Sequence, residues 1–304
     1  MKSLDTPNHK PLITRNLHTH QWYCLHADGT VDDFCRYAQK INMTMIGMSD
    51  HVPMPHDPVD DDRMSMEQLD DYSTAIDQAK LDYPDLIVLK GMECEALSAF
   101  YQYYRDELLI KREFDYLACA IHYVDVNGTR LNLFEDSLDV KGLRAFVDHF
   151  VNALEADLFT FMVHPDLFGF TYPNWDANVE ACVRDMMQAA VAYDMPLEIN
   201  SKGFRRPQIQ TNNGMRYRYP WFQYWEVAAE YNIRVLINTD AHRPSELDAT
   251  VAEARALKDR YGLREISDEA ILARMCELAQ RNRVSVKPGS TRSDVSKKTR
   301  GVCV

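Results

Sequence analysis

Two patterns of apolar and polar positions alternate along the chain. Short apolar runs predict seven strands, and the longer segments between and after them predict helices. The predicted strands cover residues 11–18, 43–50, 86–93, 115–122, 159–165, 195–200 and 233–240. The predicted helices lie near 31–41, 66–82, 98–111, 140–157, 175–193, 220–231, 245–260 and 268–282. Strands that alternate with helices favour a parallel sheet with right-handed crossovers.

The number of these units bears on how the sheet is arranged. Seven strand–helix units without an obvious linker favour an α/β barrel, and a doubly wound open sheet is the competing fold. We expect a single barrel domain over residues 1–288. The polar, basic sequence at 289–304 predicts a disordered C-terminal tail.

Composition and charge limit the class of partner. The chain has 304 residues and a net charge of −12, so its surface should repel nucleic acid polymers and anionic membranes. It contains no apolar run long enough for a transmembrane helix, and its seven cysteines are scattered without a C-x-x-C pair. These features predict a reduced, cytoplasmic protein with a small-molecule partner, and they leave the oligomeric state open.

Histidines and acids follow the ends of six of the seven predicted strands. They are His18 and His20 in HTH, His51 in SDH, Glu93 and Glu95 in GMECE, His122 in AIH, His164 in MVHP, and Asp240 and His242 in NTDAH. One histidine at a strand end is more often structural, but such a series is hard to obtain by chance. The carboxyl ends of parallel barrel strands meet at one mouth, where active sites lie.

The spacing and chemistry of these residues predict metal binding. His18 and His20 are two positions apart, so both side chains leave the same side of an extended strand. Neutral imidazoles combined with carboxylates are ligands for Zn²⁺, Mn²⁺ or Fe²⁺ rather than for Ca²⁺. With His26 included, the set is too large for one tetrahedral ion. It suits two or three ions with a carboxylate between a pair.

The ordered motifs resemble the PHP (polymerase and histidinol phosphatase) superfamily over residues 14–250. The series is H-x-H, a third histidine eight residues after the first, D-H, G-x-E, a lone H, H-P and D-x-H. The segments YCLHADGT, MSMEQLDDY, AIHYV, HPDL and EINSKGFRRP look like those of PHP-type histidinol-phosphate phosphatases. The resemblance implies a distorted seven-stranded (β/α)7 TIM-like barrel.

The resemblance also implies three groups of metal ligands. The first is His18, His20, Glu93 and Asp240; the second is Glu93, His122 and His164; the third is His26, His51 and His242. Glu95 stands where relatives often have Asp, which leaves open whether Glu93 or Glu95 is the bridge. Asn16 stands where the family usually has an acid, a departure that concerns no ligand.

A basic segment follows the sixth strand. Residues 199–225 contain no acid but include Lys202, Arg205, Arg206, Arg216 and Arg218. Arginine suits bidentate phosphate binding, and the resemblance selects Arg205 for that contact. We therefore expect Arg205, Arg206 and Lys202 to bind substrate, and Asp240, Glu93 and Arg205 to serve catalysis. His56 is a further candidate for substrate contact.

The resulting hypothesis is a metal-dependent phosphomonoesterase with L-histidinol phosphate as the expected substrate. One alternative keeps the chemistry and changes the substrate to a nucleotide or sugar phosphate. Another is a PHP module that binds metal without catalysis. An amidohydrolase-type barrel also begins with H-x-H, but it usually places a carboxylated lysine at a strand end. The chain has no Walker A or G-x-G-x-x-G motif, which argues against nucleoside triphosphate and dinucleotide chemistry.

Overall fold

The computed structural model describes residues 12–55 and 62–285. The predicted tail at 289–304 and the candidate His56 lie outside these described residues. No helix in the described part of the chain is long and apolar enough to cross a membrane. Five cysteines in that part carry free thiols and are buried: Cys24, Cys35, Cys94, Cys119 and Cys182.

All seven predicted strands are present in one parallel sheet, and an eighth short strand joins them. In chain order the strands are β1 Arg15–Asn16, β2 Met45–Met48, β3 Ile87–Glu95, β4 Tyr116–Ala120, β5 Tyr123–Val126, β6 Thr129–Asn132, β7 Phe161–Met162, β8 Leu197–Asn200, β9 Ile209–Thr211, β10 Gly214–Arg216, β11 Arg234–Asn238 and β12 Arg264–Glu265. The sheet order is β1-β2-β3-β4-β7-β8-β11-β12. The antiparallel hairpins β5–β6 and β9–β10, like β12, were not predicted.

Helices follow the strands as the hydrophobic pattern predicts. They are α1 Val31–Lys40, α2 Leu69–Asp82, α3 Tyr101–Tyr103 continued by a π-helix at Tyr104–Lys111, α4 Val140–Glu155, α5 Ala177–Ala192, α6 Phe222–Ala228, α7 Val251–Arg260 and α8 Asp268–Ser285. Helix α1 begins with a capping box, in which Thr30 accepts from the Asp33 amide and Asp33 accepts from the Thr30 amide. Such a cap satisfies two backbone donors that the first turn leaves free.

The sheet curls into a distorted barrel, which confirms the predicted fold class. Its strands follow sequence order without the reversal that defines a doubly wound sheet. At the mouth, a parallel bridge between Thr19 and Ala241 joins the segments that follow β1 and β11. At the opposite end, β12 pairs with β11, and Arg15 donates to the Ile266 carbonyl at 3.3 Å.

Side chains fill the barrel interior below the mouth. The inner cluster comprises Leu17, Met45, Leu89, Tyr116, Ala118, Ala120, Phe161, Val163, Leu236, Ile266, Ile271 and Met275, the last two from α8. The Tyr116 hydroxyl donates to the Leu17 carbonyl at 2.7 Å. A methyl group added at Gly91 would lie 2.1 Å from Cζ of Tyr116, so this ring fits only because Gly91 lacks a side chain. The packed interior leaves the carboxyl ends of the strands as the place for a site.

Candidate metal centre

The predicted ligands all meet at the mouth of the barrel. A cavity of about 450 Å³ opens there, which is the size of a small-molecule site. Eight of the nine predicted ligands line it: His20, His26, His51, Glu93, His122, His164, Asp240 and His242. The ninth, His18, is fully buried and contacts the others from within the barrel. Residues separated by more than two hundred positions therefore form one cluster, as the strand-end pattern predicts.

Glu93 lies at the centre of the cluster. Its carboxylate lies within 3.6 Å of a ring nitrogen of each of five histidines. On the Oε1 side these are His164 at 3.1 Å, His18 at 3.4 Å and His122 at 3.6 Å. On the Oε2 side they are His51 at 2.9 Å and His20 at 3.3 Å. Burial alone would raise the pKa of Glu93, but the neighbouring imidazoles hold it well below the ordinary value.

Asp240 forms the second acidic contact of the cluster. Its Oδ1 lies 3.4 Å from Nε2 of His20 and 3.3 Å from Nδ1 of His242. Burial would raise the pKa of Asp240, but Lys202 and His18, among others, hold it well below the ordinary value. Asp240 has a φ of +48° and the ligand His164 a φ of +27°, both in the left-handed region that costs side chains energy. Strained backbone at two of the nine predicted ligands is typical of a functional site.

A third group lies toward solvent. Ligand atoms of His26, His51 and His242 all lie within 4.8 Å of one another. The Nε2 atoms of His26 and His242 are 2.8 Å apart. The side chain of His26 is 35% exposed, whereas His18 and His20 are almost completely buried. The cluster thus extends from the barrel interior to the open side of the cavity.

The donors present fit transition-metal ions. Three pairs of imidazole nitrogens face each other at Nε2–Nε2 distances of 3.1 Å for His18–His20, 3.2 Å for His122–His164 and 2.8 Å for His26–His242. Within the described residues, the buried atoms Glu93 Oε2 and His51 Nδ1 lie 2.9 Å apart but are not aligned for a hydrogen bond with each other or with another group. Such atoms are costly unless a cation accepts their lone pairs. Imidazole and carboxylate donors are those that Zn²⁺, Mn²⁺ and Fe²⁺ prefer.

Glu198, which we did not predict as a site residue, holds two of the predicted ligands in place. Its Oε1 accepts from Nδ1 of His18 at 2.8 Å and from Asn238 at 2.9 Å. Its Oε2 accepts from the backbone amide of His164 at 2.8 Å and from Asn200 at 3.0 Å. Burial would lower the pKa of His18, but Glu198 and the cluster acids raise it well above the ordinary value. An acid inside the apolar strand β8 was the available sequence signal.

Glu95 supports the cluster from behind. Its Oε1 lies 2.7 Å from Nδ1 of His122 and accepts from Arg63 at 3.1 Å, and its Oε2 accepts from the His122 amide at 3.2 Å. Burial would raise the pKa of Glu95, but His122 and Arg63 lower it to about 2. The carboxylate thus orients one histidine, whereas Glu93 faces five. The geometry favours Glu93 over Glu95 as the bridging residue.

The structure separates the three predicted substrate-binding residues. Lys202 and Arg206 line the cavity, whereas Arg205 is not among its lining residues. The Arg205 guanidinium donates to the Thr239 carbonyl at 3.1 Å and to Glu246 at 3.4 Å. These contacts direct Arg205 toward the loop that carries Asp240 and not toward the cavity. Arg206, the next residue, is therefore better placed than Arg205 to contact a phosphate in the cavity.

Arg216 and Arg218 stabilise the loop that follows β8. Arg216 stacks 3.7 Å from the ring centre of Trp221 and donates to the Gly169 carbonyl at 2.8 Å. Arg218 lies 4.2 Å from the ring centre of Phe170 and donates to its carbonyl at 2.9 Å. Because both guanidinium groups bind backbone carbonyls and pack on aromatic rings, neither is a candidate for phosphate contact.

Besides the histidines, the cavity lining combines aromatic rings with charges of both signs. Phe134, Phe170, Tyr123 and Tyr219 line the cavity, as do the acids Asp62 and Glu135. The Arg206 guanidinium lies 5.8 Å from the ring centre of Phe134 and 6.0 Å from that of Phe170. A small molecule bound in this cavity would contact aromatic rings, two carboxylates and a guanidinium as well as the cluster of predicted metal ligands.

The family model of the PHP domain matches residues 16–202 of this chain. The chain belongs to the PHP domain family. The matched range holds seven of the nine predicted ligands, from His18 to His164. The remaining two, Asp240 and His242, follow β11 and reach this PHP domain's cluster through closure of the barrel.

Similar proteins have been named for one activity. A Deinococcus radiodurans protein is 26% identical over 245 residues, which cover 78% of this chain and 89% of that protein. A Schizosaccharomyces pombe protein is 24% identical over 284 residues, or 83% of this chain and 87% of that protein. Both are named "Probable histidinol-phosphatase".

A solved structure shares the fold. The histidinol phosphate phosphatase (HISK) of Lactococcus lactis subsp. lactis superimposes with a TM-score of 0.64 at 14% identity, covering 84% of this chain and 96% of that one. That structure is described as complexed with Zn, L-histidinol and phosphate. At this identity the likeness supports the barrel architecture of this PHP domain.

Proposed function

We propose that the protein is a metal-dependent phosphomonoesterase that hydrolyses L-histidinol phosphate to L-histidinol and phosphate. The observation that carries the proposal is the convergence of seven histidines, Glu93 and Asp240 on one cavity whose wall bears Lys202 and Arg206. Membership of the PHP domain family and the names of the relatives support the same activity.

The ligands divide into groups around two or three ions. His18, His20, Asp240 and Glu93 would hold the first ion; Glu93, His122 and His164 would hold the second; His26, His51 and His242 are the candidate third group. Bound divalent ions acidify a coordinated water and hold phosphate oxygens for in-line attack. Glu93 would be shared between groups, because its Oε1 lies near His18 of the first group and near His122 and His164 of the second, while its Oε2 lies near His20 and His51.

The rest of the cavity binds the substrate. Arg206 contacts the phosphate, because its guanidinium lines the cavity and presents paired donors suited to phosphate oxygens. L-Histidinol phosphate also carries an ammonium group and an imidazole ring. Glu135 and Asp62 offer carboxylates to the ammonium, and Phe134, whose ring centre is 5.5 Å from that of His122, offers an aromatic face to the imidazole.

The test is release of inorganic phosphate from a panel of esters by metal-loaded protein. The panel contains L-histidinol phosphate, its analogue without the amino group, a sugar phosphate, a nucleoside monophosphate and p-nitrophenyl phosphate. We expect the highest kcat/KM for L-histidinol phosphate and a loss for the analogue that lacks the amino group. A higher kcat/KM for the sugar or nucleotide ester would move the proposal to that substrate. Full metal content without release from any ester would refute phosphatase activity.

A further inference from the structure

Lys202 places a fixed positive charge at the outer group of histidines. Its Nζ lies 3.0 Å from Nδ1 and 3.1 Å from Nε2 of His242, and 3.1 Å from Oδ1 of Asp240. The side chain is only 17% exposed. Its backbone amide donates to the Asn200 side chain at 2.9 Å, which fixes the start of the 3₁₀ turn Ser201–Arg205. The backbone of Lys202 is therefore fixed by Asn200, and its ammonium contacts His242 and Asp240 of the cluster.

The contacts of His242 leave one nitrogen for a cation. Its Nδ1 lies 3.0 Å from the backbone carbonyl of Asp240 and can donate its proton there. A neutral imidazole has one donor nitrogen and one acceptor nitrogen, so Nε2 then carries the free lone pair. That Nε2 is also the atom that faces Nε2 of His26 at 2.8 Å. An ion held by His26, His51 and His242 needs this same lone pair.

The lysine ammonium competes with such an ion in two ways. It lies 3.1 Å from Nε2 of His242, beside the nitrogen that the ion would use. It would also lie within a few ångströms of a divalent ion bound to that nitrogen, where like charges repel strongly even in a polar protein environment.

We propose that the Lys202 ammonium replaces the third metal ion in this protein. The protein then binds two divalent ions tightly, at the groups that share Glu93, and binds a third at least about tenfold more weakly than it would without the lysine. The ammonium supplies on that side of the cavity the positive charge that a third ion would supply. This inference rests on the ligand groups of the proposed function but does not depend on which ester is the substrate.

The experiment counts bound ions. Protein is stripped with chelator, loaded with excess Zn²⁺ or Mn²⁺, passed through a desalting column and analysed by mass spectrometry for metal per chain. Calorimetric titration then gives the affinity of each ion. Lys202→Met removes the charge and keeps the length, and Lys111→Met on the exposed π-helix is the matched control. We expect two ions in the wild type and the control, and three in Lys202→Met.

A second substitution identifies the site that the extra ion occupies. His26→Ala should leave the wild-type count at two and should return the Lys202→Met count from three to two. A wild-type count of three, or a count that is the same in wild type and Lys202→Met, would overturn the inference. A wild-type count below two would overturn the ligand groups themselves. Phosphate release by the same preparations tests the proposed substrate separately, because the ion count does not depend on it.

Discussion

Glu198→Gln perturbs the residues that hold the proposed metal ligands without replacing any of those ligands. The wild-type carboxylate accepts four hydrogen bonds, two at each oxygen, from His18, Asn238, the His164 amide and Asn200. A glutamine has one oxygen and one NH₂ group, so in either orientation two donors lose their acceptor. If the NH₂ group faces His18, that ring can keep a partner only by moving its proton to Nε2, the nitrogen that faces the cluster.

The magnitude follows from those two bonds. A hydrogen bond to a charged group contributes about 1.5–3 kcal/mol, so losing two at a fully buried position costs about 3–6 kcal/mol of stability. For a chain of this size that corresponds to a fall in Tm of about 5 °C or more. Removing the partner that orients a ligating histidine typically weakens metal binding by about 10- to 100-fold. Both effects should appear together, because one carboxylate holds His18 and the His164 backbone.

The assay pairs thermal unfolding with metal competition against a chromophoric chelator. Glu180→Gln is the control, since it makes the same change in charge on α5, where Glu180 pairs with Arg184 at the surface. Such a surface pair is worth about 0–1 kcal/mol, so the control should behave as the wild type. If Glu198→Gln matches Glu180→Gln in Tm and in metal affinity, the reasoning about the buried carboxylate is refuted.

Further substitutions test the cluster, the phosphate contact and the barrel interior. Glu93→Gln should lower turnover by at least about 10²-fold and weaken both ions that it bridges, measured by phosphate release and metal analysis; near-native values would contradict the bridge. Arg206→Ala should lower kcat/KM by about 10- to 150-fold, equivalent to about 1.5–3 kcal/mol, at unchanged Tm and metal content. Arg205→Ala should instead lower Tm, and the opposite result would restore the sequence-based assignment. Gly91→Ala should cost about 1–3 kcal/mol in denaturant unfolding, and Tyr116→Leu in the same chain should recover part of it.

The ligand cluster was predictable because barrel topology turns chain order into spatial position. Once seven strands are recognised, parallel packing brings His18, Glu93, His164 and Asp240 to one mouth without any knowledge of loop structure. The polar residues at strand ends stand out against apolar strands. For these reasons the fold class and the residues of the cluster follow from the sequence.

Other features depend on geometry that a pattern does not encode. Whether Arg205 or Arg206 faces the cavity is decided by one residue of a 3₁₀ turn, Ser201–Arg205, where neighbouring side chains point in different directions. The position of Glu198 within an apolar strand marks it as unusual, but its four partners are needed to show that it holds predicted ligands. The strand Arg264–Glu265 is two residues long and exists because it pairs with β11 at the end opposite the mouth.

We propose that this protein hydrolyses L-histidinol phosphate only when its metal ions are bound. The most direct measurement is phosphate release from this ester during titration of chelator-stripped protein with Mn²⁺ or Zn²⁺. Activity should be absent in the stripped protein, rise as ions bind and reach its plateau when two ions per chain are bound. Full activity in protein that holds no metal, or none in fully loaded protein, would contradict it.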